Sequence, residues 1–95
     1  MVVAEFSITP LGKSEIKPFI DAAVREVEKS GLKYEVDAMA TTIEGELDEI
    51  LNVVRNAHAA VKASGAERIL LELRIDDRAY GITIDEEIAD YRASV

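Results

Sequence analysis

Val2-Val3-Ala4-Glu5-Phe6-Ser7-Ile8-Thr9 alternates with a period of two, and Pro10-Leu11-Gly12 closes it. Ala4, Phe6 and Ile8 fall on one side of an extended chain, and Val3, Glu5, Ser7 and Thr9 fall on the other. That pattern predicts a strand with one apolar face and one wetter face. The apolar face calls for a roof of helices. The wetter face calls for water, a second subunit or a ligand. Pro10 fixes φ and Gly12 reaches conformations other residues resist, so the run ends in a turn.

Working outward, Ile16, Phe19, Ile20, Ala23, Val24 and Val27 recur at three- and four-residue spacing, which predicts an amphipathic helix. Ser14 is its expected N-cap, Pro18 lies in the first turn, and Ser30-Gly31 stops it. Lys33–Met39 alternates again, and Thr41–Gly45 is short and β-prone. The two are nearly contiguous, so they predict a hairpin turning around Met39–Thr41. No Asn-Gly or Asp-Gly marks the turn, which leaves room for a bulge and leaves the facing of Thr41 and Thr42 open. Gly45–Glu49 opens a second helix, with Leu47, Ile50, Leu51, Val54, Ala57, His58 and Val61 as its buried stripe and Ser64-Gly65 as its stop. Glu67–Ile75 is the last strand, with Leu70, Glu72 and Arg74 on its wetter side. Asp76-Asp77-Arg78 reads as a loop. Thr83 and Glu86 read as a capping box before a short helix carrying Ile84, Ile88 and Tyr91.

Helix, Ser-Gly, strand occurs twice. The order is therefore β-α-β-β-α-β plus a small helix, and the right-handed crossover rule makes it an α+β, ferredoxin-like sandwich. Its first and third strands are central, both long helices lie on one face, and the other face is open. Ninety-five residues form one such domain, spanning 1–95.

Composition narrows the function. Hydrophobic residues make up 48% of the chain, enough for a core. The net charge of −8 repels phosphate backbones and anionic headgroups, which argues against nucleic-acid and membrane partners and favours a cationic small molecule. There is no Cys, so disulfides, thiol catalysis and Cys-type zinc sites are excluded. No apolar run approaches the roughly 20 residues of a membrane span, and the N-terminal stretch lacks a signal-peptide pattern; the expected location is the cytoplasm. The single His58 reads as structural, since it has no evident nucleophile partner and cannot make a zinc site alone. Asp76-Asp77 and Asp85-Glu86-Glu87 match no calcium-loop spacing. Gly12-Lys13-Ser14 lacks the upstream Gly of a phosphate loop. Catalytic residues, metals and cofactors are accordingly expected to be none.

The open face gathers Val3, Glu5, Ser7, Glu35, Asp37, Thr42, Glu44, Leu70, Glu72 and Arg74. A solvated face or a subunit contact are both compatible with that mixture. The expectation is also that the small helix leaves its apolar stripe exposed, which favours a subunit contact.

Glu5-Phe-Ser7-Ile-Thr-Pro10-Leu11-Gly12, Tyr34-Glu35, Met39-Ala-Thr41-Thr42-Ile43-Glu44-Gly45, Asp48-Glu49, His58, Gly65, Arg68 and Ile75-Asp76-Asp77-Arg78 occur in this order. The set resembles the small thiamine-binding protein family, ferredoxin-like chains related to two-repeat proteins that bind thiamine's hydroxymethylpyrimidine part. The resemblance covers residues 2 to about 78 and fades after Arg78. It implies a homotetramer built as a dimer of dimers, a ligand held by strand residues at subunit contacts, and no catalysis. Beside it, the chemistry of the residues offers Glu5 or Glu44 for thiamine's amino group or positive charge, and Ser7, Thr41 and Thr42 for its ring nitrogens. Each has an ordinary alternative: Glu5 as the cross-strand partner of Arg74, Glu44 as an acid at the next helix's start, and the hydroxyls as β-prone filler. Two other functions remain open from the residues alone, a structural or regulatory oligomerisation domain and a small ferredoxin-like enzyme.

Overall fold

In the computed structural model, which describes residues 1–92, the order is β1 (Val2–Pro10), α1 (Lys17–Lys29), β2 (Lys33–Val36), β3 (Thr41–Gly45), α2 (Leu47–Ala63), β4 (Ile69–Asp76) and α3 (Ile84–Arg92). All strand pairs are antiparallel and the sheet order is β2-β3-β1-β4. The first and third strands are therefore central, and the fold is ferredoxin-like as expected.

The core lies between the sheet and the two long helices. Ala4, Phe6 and Ile8 of β1 pack with Ile43 of β3, Ala23 and Val27 of α1, and Ile50, Val54, Ala57 and Val61 of α2. Both helices end as expected, with Gly31 (φ 74) and Gly65 (φ 106) in the left-handed region that other residues resist. The side chain of Glu46 accepts from the Glu49 N–H, and that of Glu49 accepts from the Glu46 N–H at 3.1 Å, so a capping box opens α2.

Several boundaries differ from expectation. Ile16, not Ser14, is the N-cap of α1: its carbonyl accepts from Phe19 and Ile20, both at 3.0 Å. Pro18 follows in the first turn, where a missing N–H costs least. The buried stripe of α2 runs through Ile50, Val53, Val54, Ala57 and Val61, which leaves Leu47, Leu51 and His58 exposed on its flank. β2 ends at Val36, not Met39, because the chain turns over Asp37–Ala40, closed by the Asp37 N–H donating to the Ala40 carbonyl at 2.9 Å. The β2–β3 register is continuous from Lys33↔Glu44 to Val36↔Thr41 and contains no bulge. β4 begins at Ile69 and extends to Asp76.

The small helix is the largest departure. Its apolar stripe was expected to lie exposed. Instead Ile84 is 2% exposed and packs with Val3, Ile82 and Ile88 on the second face of the sheet, while Tyr91 stays outside. Polar contacts clamp α3 over β2 and β3: Lys33 pairs with Asp85, Glu35 with Arg92, and Arg92 with Asp85. Glu44 accepts from the Ile84 N–H at 3.2 Å, and Thr83 Oγ1 accepts from the Glu86 N–H at 3.1 Å. Among the described residues the second face is therefore uncovered along its β1–β4 half.

Candidate functional site

The register decides which way each candidate side chain faces. Glu5 lies opposite Thr42 on β3 and Arg74 on β4, and Ser7 lies opposite Glu72. Val3 lies opposite Glu44. Glu5, Ser7, Thr42 and Glu44 thus share the second face. Thr41 pairs with Phe6 and lies on the helix-covered face, buried, with 8% of its surface exposed. Of the five predicted ligand residues, four share a side and Thr41 does not.

Two depressions take up four of these five residues, Glu44 lining neither. The first, on the second face, has a volume of about 260 Å³ and is lined by Glu5, Thr42, Arg74, Asp76 and Glu87 among others. Arg74 stands 3.6 Å from Glu5, the cross-strand ion pair expected as Glu5's ordinary alternative. Asp76 and Glu87 line the same depression. The hydrogen bond with Glu87 holds Asp76 below its ordinary value, with Arg78 helping. The same contact, with desolvation and the charge of Asp76, lifts Glu87. Glu87 Oε1 is buried without a hydrogen-bond partner among the described residues, and Arg78, 3.7 Å away, supplies charge only.

The second depression arises from a mismatch of strand lengths. β1 pairs with β4 as far as Pro10↔Ile69, but with β3 only as far as Phe6↔Thr41. The last residues of β1 overhang the hairpin. The gap beside them has a volume of about 240 Å³, roofed by Ile16, Ile20, Ala23 and Val24 of α1 and walled by residues 36–41. Ser7 and Thr9 line it, Thr41 lies at its inner wall, and Asp37 is the charged lining residue among those described. Thr41 is 8% exposed as a residue, but its hydroxyl is not sealed off: the buried side-chain oxygen without a partner among the described residues is Glu87 Oε1.

Backbone geometry adds a feature that no side chain reveals. In an antiparallel sheet the N–H and C=O of one residue point to the same neighbour, and successive residues alternate. The Leu11 N–H donates to the Arg68 carbonyl at 2.8 Å, continuing the β1–β4 register. Odd-numbered residues of β1 therefore turn to β4, and Phe6, Ile8 and Pro10 turn towards β3. Among the described residues no strand faces Ile8 on that side, so its N–H and C=O look into the gap. Pro10 has no N–H, and proline is at home on such a free edge.

Side-chain reading missed this site because Ile20, Val24 and Ile8 count as core by spacing. A signal was available: β1 is a long run and Thr41–Gly45 a short one, so part of β1 had to go unpaired.

Among the described residues no helix is long and apolar enough to cross a membrane, and no three His, Asp or Glu side chains gather as a metal set.

Residues 4–92 match the sequence profile of a family described as thiamine-binding protein. A UPF0045 protein of Methanothermobacter thermautotrophicus is 38% identical over 81 residues, which is 82% of each chain. The fold superposes on a domain of unknown function, DUF77, from Bacillus cereus with a TM-score of 0.91 at 41% identity, covering 98% of this chain and 91% of that one. It superposes on a candidate thiamine biosynthesis/salvage protein of Thermotoga maritima with a TM-score of 0.88 at 35% identity, covering 96% and 98%. With the motifs, the topology and these likenesses in agreement, the chain belongs to the thiamine-binding protein family.

Proposed function

We propose that the protein binds thiamine, or its hydroxymethylpyrimidine part, without chemical change, as a homo-oligomer in the cytoplasm. The observation that carries the reading is the gap at the end of the hairpin. It is largely apolar, has the Thr41 hydroxyl at its inner wall, and is lined among the described residues by one charged side chain, Asp37. At about 240 Å³ it is smaller than the ~300 Å³ at which pockets for larger ligands begin. One ring enters and the rest of the ligand stays at the mouth, where Asp37 meets the thiazolium charge.

The predicted ligand residues then divide by role. Thr41 and Ser7 line the gap. Glu5 and Thr42 belong to the second-face cleft, and Glu44 holds α3. The β1–β4 half of the second face suits a copy of the chain. Leu70 is 50% exposed there, beside Glu72, Arg74 and Glu5. Charges of both signs around an apolar residue can match themselves across a two-fold axis.

Isothermal titration with thiamine and with hydroxymethylpyrimidine tests the reading. Saturable heat with at least one is expected. Silence with both at millimolar concentration removes it. Native mass spectrometry checks the assembly, for which a dimer or a dimer of dimers is expected and a lone subunit at micromolar concentration is contrary. A multimer that binds neither compound is an oligomerisation module instead.

A further inference from the structure

We infer that the free backbone edge of β1 at Ile8 recognises the 4-aminopyrimidine ring by its amino group and the adjacent ring nitrogen. The inference rests on the proposed ligand and says which part of it enters the gap, and by which atoms.

Ile8 is 4% exposed, so its N–H and C=O are shielded from bulk water except through the gap. Neither makes a hydrogen bond to the described residues, because β3 pairing stops at Phe6↔Thr41, two positions before Ile8. An enclosed donor and acceptor without partners are costly, and strand edges satisfy theirs by pairing with whatever has the opposite pattern. The N–H and C=O of one strand residue lie parallel, donor beside acceptor. A 4-aminopyrimidine offers the complement on one edge: ring N3 accepts and the 4-amino group donates. The ring is flat and apolar on both faces, which fits between Ile20 and Val24 of α1 and the 36–41 turn. Thr41 supplies a third polar contact from the inner wall. Thiamine's thiazolium offers no such donor–acceptor edge, so it is the ring left outside, near Asp37.

The recognition is therefore a specificity device made of main chain. Replacing the 4-amino group by oxygen reverses the pattern: the exocyclic atom becomes an acceptor and N3 carries a proton. Two mismatched contacts then face Ile8. A site built to pair a polar group rejects analogues that cannot pair, often strongly.

The test is an amide NMR titration of the full chain with four probes: thiamine, hydroxymethylpyrimidine, the 4-oxo analogue oxythiamine, and the free thiazole alcohol. Thiamine and hydroxymethylpyrimidine should both bind and move the Ile8 amide downfield as a hydrogen bond forms. Oxythiamine should bind at least ~10-fold more weakly than thiamine. Val24→Trp, which fills the gap, should abolish binding while leaving the β4 amides in place. Three results overturn the inference: thiamine binding with an unmoved Ile8 amide, oxythiamine binding as tightly as thiamine, or the thiazole alcohol binding where hydroxymethylpyrimidine does not. Each of these leaves the protein a thiamine-type binder. Failure of all four probes to bind removes the ligand reading itself, and this inference with it.

Discussion

Glu44 and Glu5 are both carboxylates on the second face, yet one is engaged by backbone and the other by a flexible guanidinium. Glu44 accepts from the first amide of α3 at 3.2 Å, where a helix has no internal acceptor to offer. Glu5 faces Arg74 at 3.6 Å on an exposed surface, where an ion pair contributes little. Glu44→Ala is therefore expected to cost about 1 kcal/mol, in the range of a lost cap. The loss should be local: hydrogen exchange speeds up in α3 while β1 amides keep their protection. Equal acceleration in both would mean that α3 is not a separable unit. A second residue-scale expectation concerns pH. Glu87 is raised above its ordinary 4.5, first by its hydrogen bond to Asp76 and then by desolvation. The folded chain thus keeps a proton that the unfolded chain has released, and stability falls as pH rises through the Glu87 titration. Asp76 is lowered from 3.8, so its contribution is lost as pH falls through the range below that value. Urea midpoints should show a decline as pH rises above the ordinary 4.5 of a glutamate, and the decline should disappear in Glu87→Gln. The same decline in both proteins would assign it to another group.

At the scale of elements, the two apolar clusters are unequal. Ile50 of α2 sits fully buried in the main cluster under both helices, whereas Ile84 sits in a small cluster with Val3, Ile82 and Ile88. Large-to-small changes in a core cost ~2–5 kcal/mol, less where the surroundings can collapse. Ile50→Ala is expected near the upper end and should lower the global urea midpoint. Ile84→Ala should fall near the lower end and release α3, with the sheet and long helices retained. A global loss for Ile84→Ala equal to that for Ile50→Ala would make α3 part of the same cooperative unit. The hairpin is the other element with consequences. Because β2 and β3 stop at Val36 and Thr41, the sheet has a step, and the step is the gap beside Ile8.

At the scale of the whole molecule, in a chain of net charge −8 the described residues leave a mixed strip uncovered between α3 and the β4 edge. Arg74 is the positive group in the row with Glu5 and Glu72. Arg74→Glu turns that row uniformly negative, and like charges across an interface disfavour association. If the proposed subunit contact uses this strip, light scattering of Arg74→Glu should show smaller species than the parent protein, with unchanged circular dichroism. An unaltered assembly would move the contact elsewhere.

Sequence alone determined what depends on neighbours along the chain. Alternation in Val2–Thr9 and the three–four spacing in Ile16–Val27 specify faces, and the repeated Ser-Gly stops specify where both long helices end. With the order of elements and the handedness of crossovers, that suffices for the fold. Tertiary structure decided what depends on register and length. Whether Thr41 or Thr42 faces the helices follows from one pairing, Phe6↔Thr41, because a shift of one residue exchanges the two faces. That Glu44 caps α3, that Ile84 finds Val3, and that Ile8 is left without a partner on its β3 side depend on residues tens of positions apart or never paired at all. Local periodicity carries no information about such distances. Only the folded sheet, with one strand longer than its neighbour, creates the opening.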